Sequence, residues 1–190
     1  MIPGLRRRQC RRLAGVAALV LAMTGTATPA RAAAGDAPDI AVKAAFLYNF
    51  AKFAEWPALP LAAPILVCFV GDNGIAAAFS ETVRGQNIGG HTLDVSQPRD
   101  SAGWRGCQVL FFADRETRQF ASDKGGIRSQ PVLTVSDGKG FALAGGVIEL
   151  FVEDGRMRFA INLDAAEQAG VHLSSRLLGL AKVVRSRRDQ

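Results

Sequence analysis

The sequence predicts an α/β domain: a single layered domain with a mixed, partly parallel sheet flanked by helices. Three observations predict it. Continuous apolar runs bounded by Gly, Pro or Asp, at 64–70, 107–112 and 131–135, read as strands buried on both faces. Segments of helical character fall between them, and strand, helix, strand in that order makes right-handed parallel crossovers. Further on, the runs 147–152 and 156–163 meet at Asp154-Gly155, the signal of an antiparallel hairpin.

Taken in order, residues 1–34 stand apart. Arg6, Arg7, Arg8, Arg11 and Arg12 form a basic head, Leu13 to Met23 an apolar run, and Ala30-Arg31-Ala32 or Ala32-Ala33-Ala34 a small-residue cleavage site. This is the pattern of a secretory signal peptide, with an apolar run too short to span a bilayer comfortably. The chain of 190 residues has 23 basic and 17 acidic side chains. The six arginines of residues 1–34 come with no acid, so their removal leaves 17 against 17 over 156 residues. The high sequence pI therefore belongs to the export segment and gives no argument for a nucleic-acid partner. A core for one domain is well within reach at that length.

An amphipathic helix follows over Val42 to Pro57, VKAAFLYNFAKFAEWP. Val42, Phe46, Phe50 and Phe53 recur at steps of three and four, and Lys43, Tyr48, Lys52 and Glu55 fall on the other side. Pro57 lacks an amide hydrogen and restricts Trp56, so the helix is expected to end there. Most of these rings read as core. Tyr48 and Trp56, whose rings carry a polar atom, are the candidates for a partner surface.

The strand at 64–70 turns through Gly71 to Gly74 into a short helix over Ile75 to Val83, and a strand follows at His91 to Val95. A loop with Trp104 leads to the strand at 107–112, a modest helix covers Asp114 to Lys124, and the strand at 131–135 completes the parallel part. A two-one-three-four order sets the strand of Cys68 beside that of Cys107. After the glycine-rich connection 138–146 and the hairpin, Asp164 to Ala169 and Ser174 to Val184 read as helices. Ser174 and Ser175 suit the cap of the last one, and Lys182, Arg185, Arg187 and Arg188 offset its C-terminal dipole.

Cys10 leaves with the signal, so Cys68 and Cys107 are the cysteines of the exported chain. An even pair in an oxidising compartment is most simply a disulfide, with two buried free thiols as the alternative. The motifs VCFVGD, VLFFAD and VLTVSD put Asp72, Asp114 and Asp137 just past three inner strands, at the edge where open parallel sheets bind ligands. They are candidates for a ligand or cation site, against the plainer reading that each caps a helix or makes a turn. No nucleophile elbow, phosphate loop or zinc-ligand cluster is present, and His91 and His172 have no recognisable catalytic spacing. Neither catalytic residues nor a cofactor are expected.

These residues resemble a known family. VKAAFLYNFAKFAEWP, ILVCFVGD, GCQVLFF, VLTVSD, FALAGGVIEL and RFAINLDAAEQAGVHLSSRLLGLA look like the YfiR-like family of exported bacterial proteins, in the family's order and over nearly all of the exported chain. The resemblance implies a periplasmic regulator without enzymatic activity of its own. It would bind the periplasmic sensor part of an inner-membrane diguanylate cyclase and hold it inactive, lowering cyclic di-GMP and restraining biofilm formation. It further implies sequestration by an outer-membrane lipoprotein, self-association as a homodimer, and a Cys68–Cys107 pair. A second cysteine pair found in some members is missing here around Gly145-Gly146. The alternative function is a periplasmic small-molecule-binding sensor domain acting on another membrane signalling protein.

Overall fold

A sheet with both faces covered is what continuous apolar strands require, and the chain builds one. The computed structural model describes residues 36–57, 59–71, 74–127 and 130–186. The segment read as an export signal, Asp72, Arg187 and Arg188 lie outside the described residues.

Helix α1 (Asp36–Lys52) is followed by the two-residue strand β1 (Ala54–Glu55), then β2 (Ile65–Val70), α2 (Ile75–Val83), the short β3 (Asn87–Ile88) and β4 (His91–Ser96). A 3-10 turn over Ser101–Gly106 carries Trp104 into β5 (Val109–Phe112), and a second 3-10 turn leads to α3 (Thr117–Asp123) and β6 (Leu133–Ser136). The hairpin β7 (Ile148–Glu153) and β8 (Arg156–Asn162), helix α4 (Leu163–Ala169), strand β9 (His172–Leu173), the one-turn helix α5 (Ser175–Leu178) and β10 (Lys182–Val184) complete the domain.

Among the described residues the main sheet has eight strands in the order β10-β8-β7-β6-β5-β2-β4-β3. β4, β2, β5 and β6 run parallel, as the crossovers predict, with β2 between β4 and β5, and β7 extends the parallel part beyond the expectation by pairing parallel with β6. The β7–β8 hairpin is antiparallel with Glu153 opposite Arg156. Asp154 and Gly155 both take positive φ, 51° and 69°, the geometry of the two-residue turn that matches strand twist. A separate pair, β1 with β9, joins the end of α1 to the region before α5.

Alternation along the central strands divides the core in two. Val67, Phe69, Val109, Phe111, Leu133 and Val135 face α1 and α2. Cys68, Val70, Leu110, Phe112 and Val132 belong to a second cluster with Trp104, Phe120, Ile127 and Phe141. In that second layer Phe112 meets Trp104 edge-on at 5.0 Å and Phe120 at 5.2 Å, while Phe120 and Phe141 lie 4.5 Å apart. Gly146 has to be glycine: a Cβ there would come within 2.0 Å of the Phe141 ring.

Two helices differ from expectation. α1 starts earlier and stops at Lys52, because Ala54 and Glu55 pair with β9 instead of continuing the helix. Its buried face is also rotated. Ala44, Leu47, Phe50 and Ala51 are fully buried, whereas Val42 is 41% exposed and Phe46 and Phe53 sit at the margin. Small alanines let the helix approach its neighbours closely, a preference that counting large apolar residues misses. The predicted helix over Ser174 to Val184 is a single turn followed by β10, parallel to β8. Gly179 weakens helix continuation, and the β-branched Val183 and Val184 suit an edge strand. Ser174 does cap α5, its hydroxyl accepting from the Leu177 amide. Of the basic tail, Lys182 is in a strand and Arg185 pairs with Asp164 at 2.9 Å, so neither serves a helix dipole.

Candidate functional site

At the carboxyl ends of the parallel strands, α1 supplies a lysine to the aspartate that follows β6. Lys43 lies one turn after Asp39, and its Nζ is 2.6 Å from Asp39 Oδ2 and 2.8 Å from Asp137 Oδ2. Its side chain is only 15% exposed and that of Asp137 17%. Burial by itself would lower the lysine pKa, but hydrogen bonds to Asp137 and Asp39 outweigh it and hold the pKa above the ordinary 10.5. Lys43 is therefore a fixed cation bridging α1 to the sheet edge, where the sequence pattern placed it on the solvent side. The i, i+4 spacing from Asp39 was the available signal; the partner 94 residues away was not legible.

The three sequence-predicted aspartates are placed as follows. Asp137 is held by Lys43, and its other oxygen, Oδ1, is buried without a hydrogen-bond partner. Asp114 opens the turn before α3 and is exposed; its backbone carbonyl accepts from Thr117, and a Cβ on Gly138 would come within 3.0 Å of its Oδ1. Asp114 and Asp137 thus flank Gly138. Asp72 lies outside the described residues, and no group of three metal-binding side chains occurs among the described residues.

The two candidate contact rings differ in access. Tyr48 is half-buried against the main core, with part of its surface open. Trp56 is 8% exposed and sits in the same core, its Nε1 lacking a partner. Asn49 is exposed and donates back to the Ala45 carbonyl at 2.8 Å. His91 is a structural residue, its Nδ1 donating to the Ala63 carbonyl at 2.7 Å, and His172 is exposed in β9.

Cys68 and Cys107 form a disulfide with Cα atoms 5.9 Å apart. Both residues are buried, at 1% and 2% exposure, beneath the Trp104 turn. The bridge closes a separation of 39 residues, worth about 3–4 kcal/mol by the chain-entropy relation.

Two further groups went unrecognised in the sequence. Asn162, fully buried, accepts from the Ala165 amide to cap α4, while its Nδ2 donates to the Ala142 carbonyl and to Ser186 Oγ. Glu149 accepts from the amides of Gly140 and Ala142, one on each carboxylate oxygen, at 3.0 Å. Together they fix the glycine-rich loop to the hairpin and to the chain end. An asparagine leading into Leu-Asp-Ala-Ala is a readable capping signal; the loop contacts are tertiary and leave no local trace.

A disulfide-bridged α/β module with a mixed main sheet, an ion pair at the carboxyl ends of its strands, is the class these features define. The chain belongs to the YfiR/HmsC-like family, whose model matches residues 40–182. That family is one of periplasmic, non-catalytic regulators of diguanylate cyclase signalling. No curated protein matches the chain. No helix among the described residues is long and apolar enough to cross a membrane.

Proposed function

We propose that residues 1–34 direct export and are removed, and that residues 35–190 act as a YfiR-like domain that inhibits an inner-membrane diguanylate cyclase. The domain binds the cyclase's periplasmic sensor part, lowers cyclic di-GMP and restrains biofilm formation, with no reaction of its own. The observation that carries the reading is family membership over residues 40–182, which takes in Cys68, Cys107, most of α1 and the Asn162 block. The buried disulfide is in keeping with an oxidising compartment. Homodimerisation and release of the cyclase through an outer-membrane lipoprotein are part of the same proposal.

Inhibition needs only tighter binding to the inactive cyclase conformation than to the active one. A tenfold preference is about 1.4 kcal/mol, within the scope of one or two anchor side chains. Tyr48 is the accessible member of the proposed contact pair, and Trp56 is the buried one. The test is a pull-down from membranes with the processed domain, read beside cellular cyclic di-GMP with and without the gene. Capture of a diguanylate cyclase and a rise in cyclic di-GMP on deletion are expected. Unchanged cyclic di-GMP and biofilm in the deletion strain would overturn the reading. Tyr48→Ala should weaken capture while leaving the melting temperature within a few degrees.

A second reading is a small-molecule sensor acting on another membrane signalling protein, with a ligand or cation at Asp72, Asp114 and Asp137. The unpartnered Oδ1 of Asp137 favours it. A melting-point rise with magnesium or calcium that disappears in Asp137→Asn would support it; no rise in either protein would remove the cation version.

A further inference from the structure

A cavity of about 720 Å³ lies beside α3, between that helix, the glycine-rich loop and α4. Its size falls in the range of small-molecule sites. The apolar lining includes Phe120, Ile127, Val132 and Val147, with Leu143, 43% exposed, among the loop residues that border it.

The charged lining is one-sided. Lys124 Nζ donates to the Ala144 carbonyl at 2.7 Å and stands 6.0 Å from the centre of the Phe120 ring. It is half-buried and has no carboxylate partner among the described residues. An ammonium has three protons to donate, so this one keeps two. Thr134 Oγ1 accepts from the Val147 amide, and Ser186 Oγ accepts from Asn162 Nδ2. Each hydroxyl therefore retains its own proton to give, and neither donates to another described residue. No Asp or Glu lines the cavity. The protein thus presents one cation, two hydroxyl donors and the neutral amide of Gln168 beside an apolar wall, the complement of a ligand with a singly charged acceptor head and a hydrocarbon body.

From this geometry we infer that the cavity beside α3 binds a small amphipathic monocarboxylate, its head at Lys124, Thr134 and Ser186 and its apolar body against Phe120, Ile127 and Val132. The site lies apart from the Lys43–Asp137 ion pair and does not depend on the proposed cyclase partner. A single ammonium suits one negative charge, and no second described cation is among the lining residues to balance a dianion. The loop geometry serves the same end: Gly145, at φ +99°, lets the backbone present the Ala144 carbonyl to Lys124, and a Cβ there would sit 3.4 Å from Nζ.

The experiment uses the processed protein with decanoate as probe and decan-1-ol as the neutral comparison, by calorimetry and thermal melting at neutral pH. Decanoate should bind one per chain and raise the melting temperature, and Lys124→Met should weaken it about tenfold or more while leaving decan-1-ol unaffected. Ala121→Trp, at an exposed lining position, should abolish binding of both by filling the entrance. Absence of decanoate binding at millimolar concentration would overturn the inference. So would equal affinity of the wild-type and Lys124→Met proteins, or decanoate binding undiminished in Ala121→Trp.

Discussion

The two faces of the sheet are held by different means. On one, α1 and α2 lay Leu47, Phe50, Ile75 and Phe79 onto the central strands, a broad apolar contact. On the other, the covering elements are 3-10 turns, the seven-residue α3 and a glycine-rich loop. Short elements bury less, and here a disulfide, a cluster of four rings and the Glu149 and Asn162 side chains provide what long helices provide opposite. The thinner cover also borders the cavity of about 720 Å³. Where packing is lightest, the domain has room for a ligand.

The largest effect that would break this contrast is expected on the helical face. Phe50→Ala removes a ring that meets Phe46 at 5.8 Å and Phe159 at 5.1 Å, and should cost about 3–5 kcal/mol in urea unfolding. A loss below 1 kcal/mol would mean that the helical face carries little of the stability. Replacing both cysteines by alanine should cost about 3–4 kcal/mol. If the bridge stabilises the thin face as described, dithiothreitol should lower the wild-type midpoint by a similar amount and leave the double variant unchanged.

Gly146→Ala sharpens the contrast within the thin face. The added methyl collides with Phe141 and should cost about 1–3 kcal/mol through displacement of that ring, read as a change in near-ultraviolet circular dichroism with helix content retained. The smallest effect concerns Lys43. Its folded pKa is raised, so the stability it contributes is fully present below pH 10.5 and is lost as the pH rises through the higher folded value. The melting temperature of wild type and Lys43→Met should therefore differ at neutral pH and converge in strongly alkaline buffer. A constant gap across that range would count against the ion pair.

Much of the architecture was readable in one dimension. Apolar runs without alternation named the inner strands, and Asp154-Gly155 named the hairpin, because both signals are local. The end of α1 and the strand β10 were not readable, since each is decided by pairing with a distant segment: β1 with β9, β10 with β8. The site followed the same division. Asp137 was visible from its place after a strand, whereas Lys43 as its partner required the packing of α1 over the sheet edge. For Lys124 the spacing from Phe120 was local, but its carbonyl partner in the loop at 143–145 was not legible.

The small β1–β9 ladder has a consequence for the order in which the domain is made. Ala54 and Leu173 lie far apart in sequence, and the Ser174 amide also donates to the Phe53 carbonyl. Pairing of such remote segments is slow and must wait until the late one exists. A nascent chain shortened before His172 lacks this ladder, so the end of the first helix is fastened last, after Asp137 and Phe159, which hold its middle, have been made.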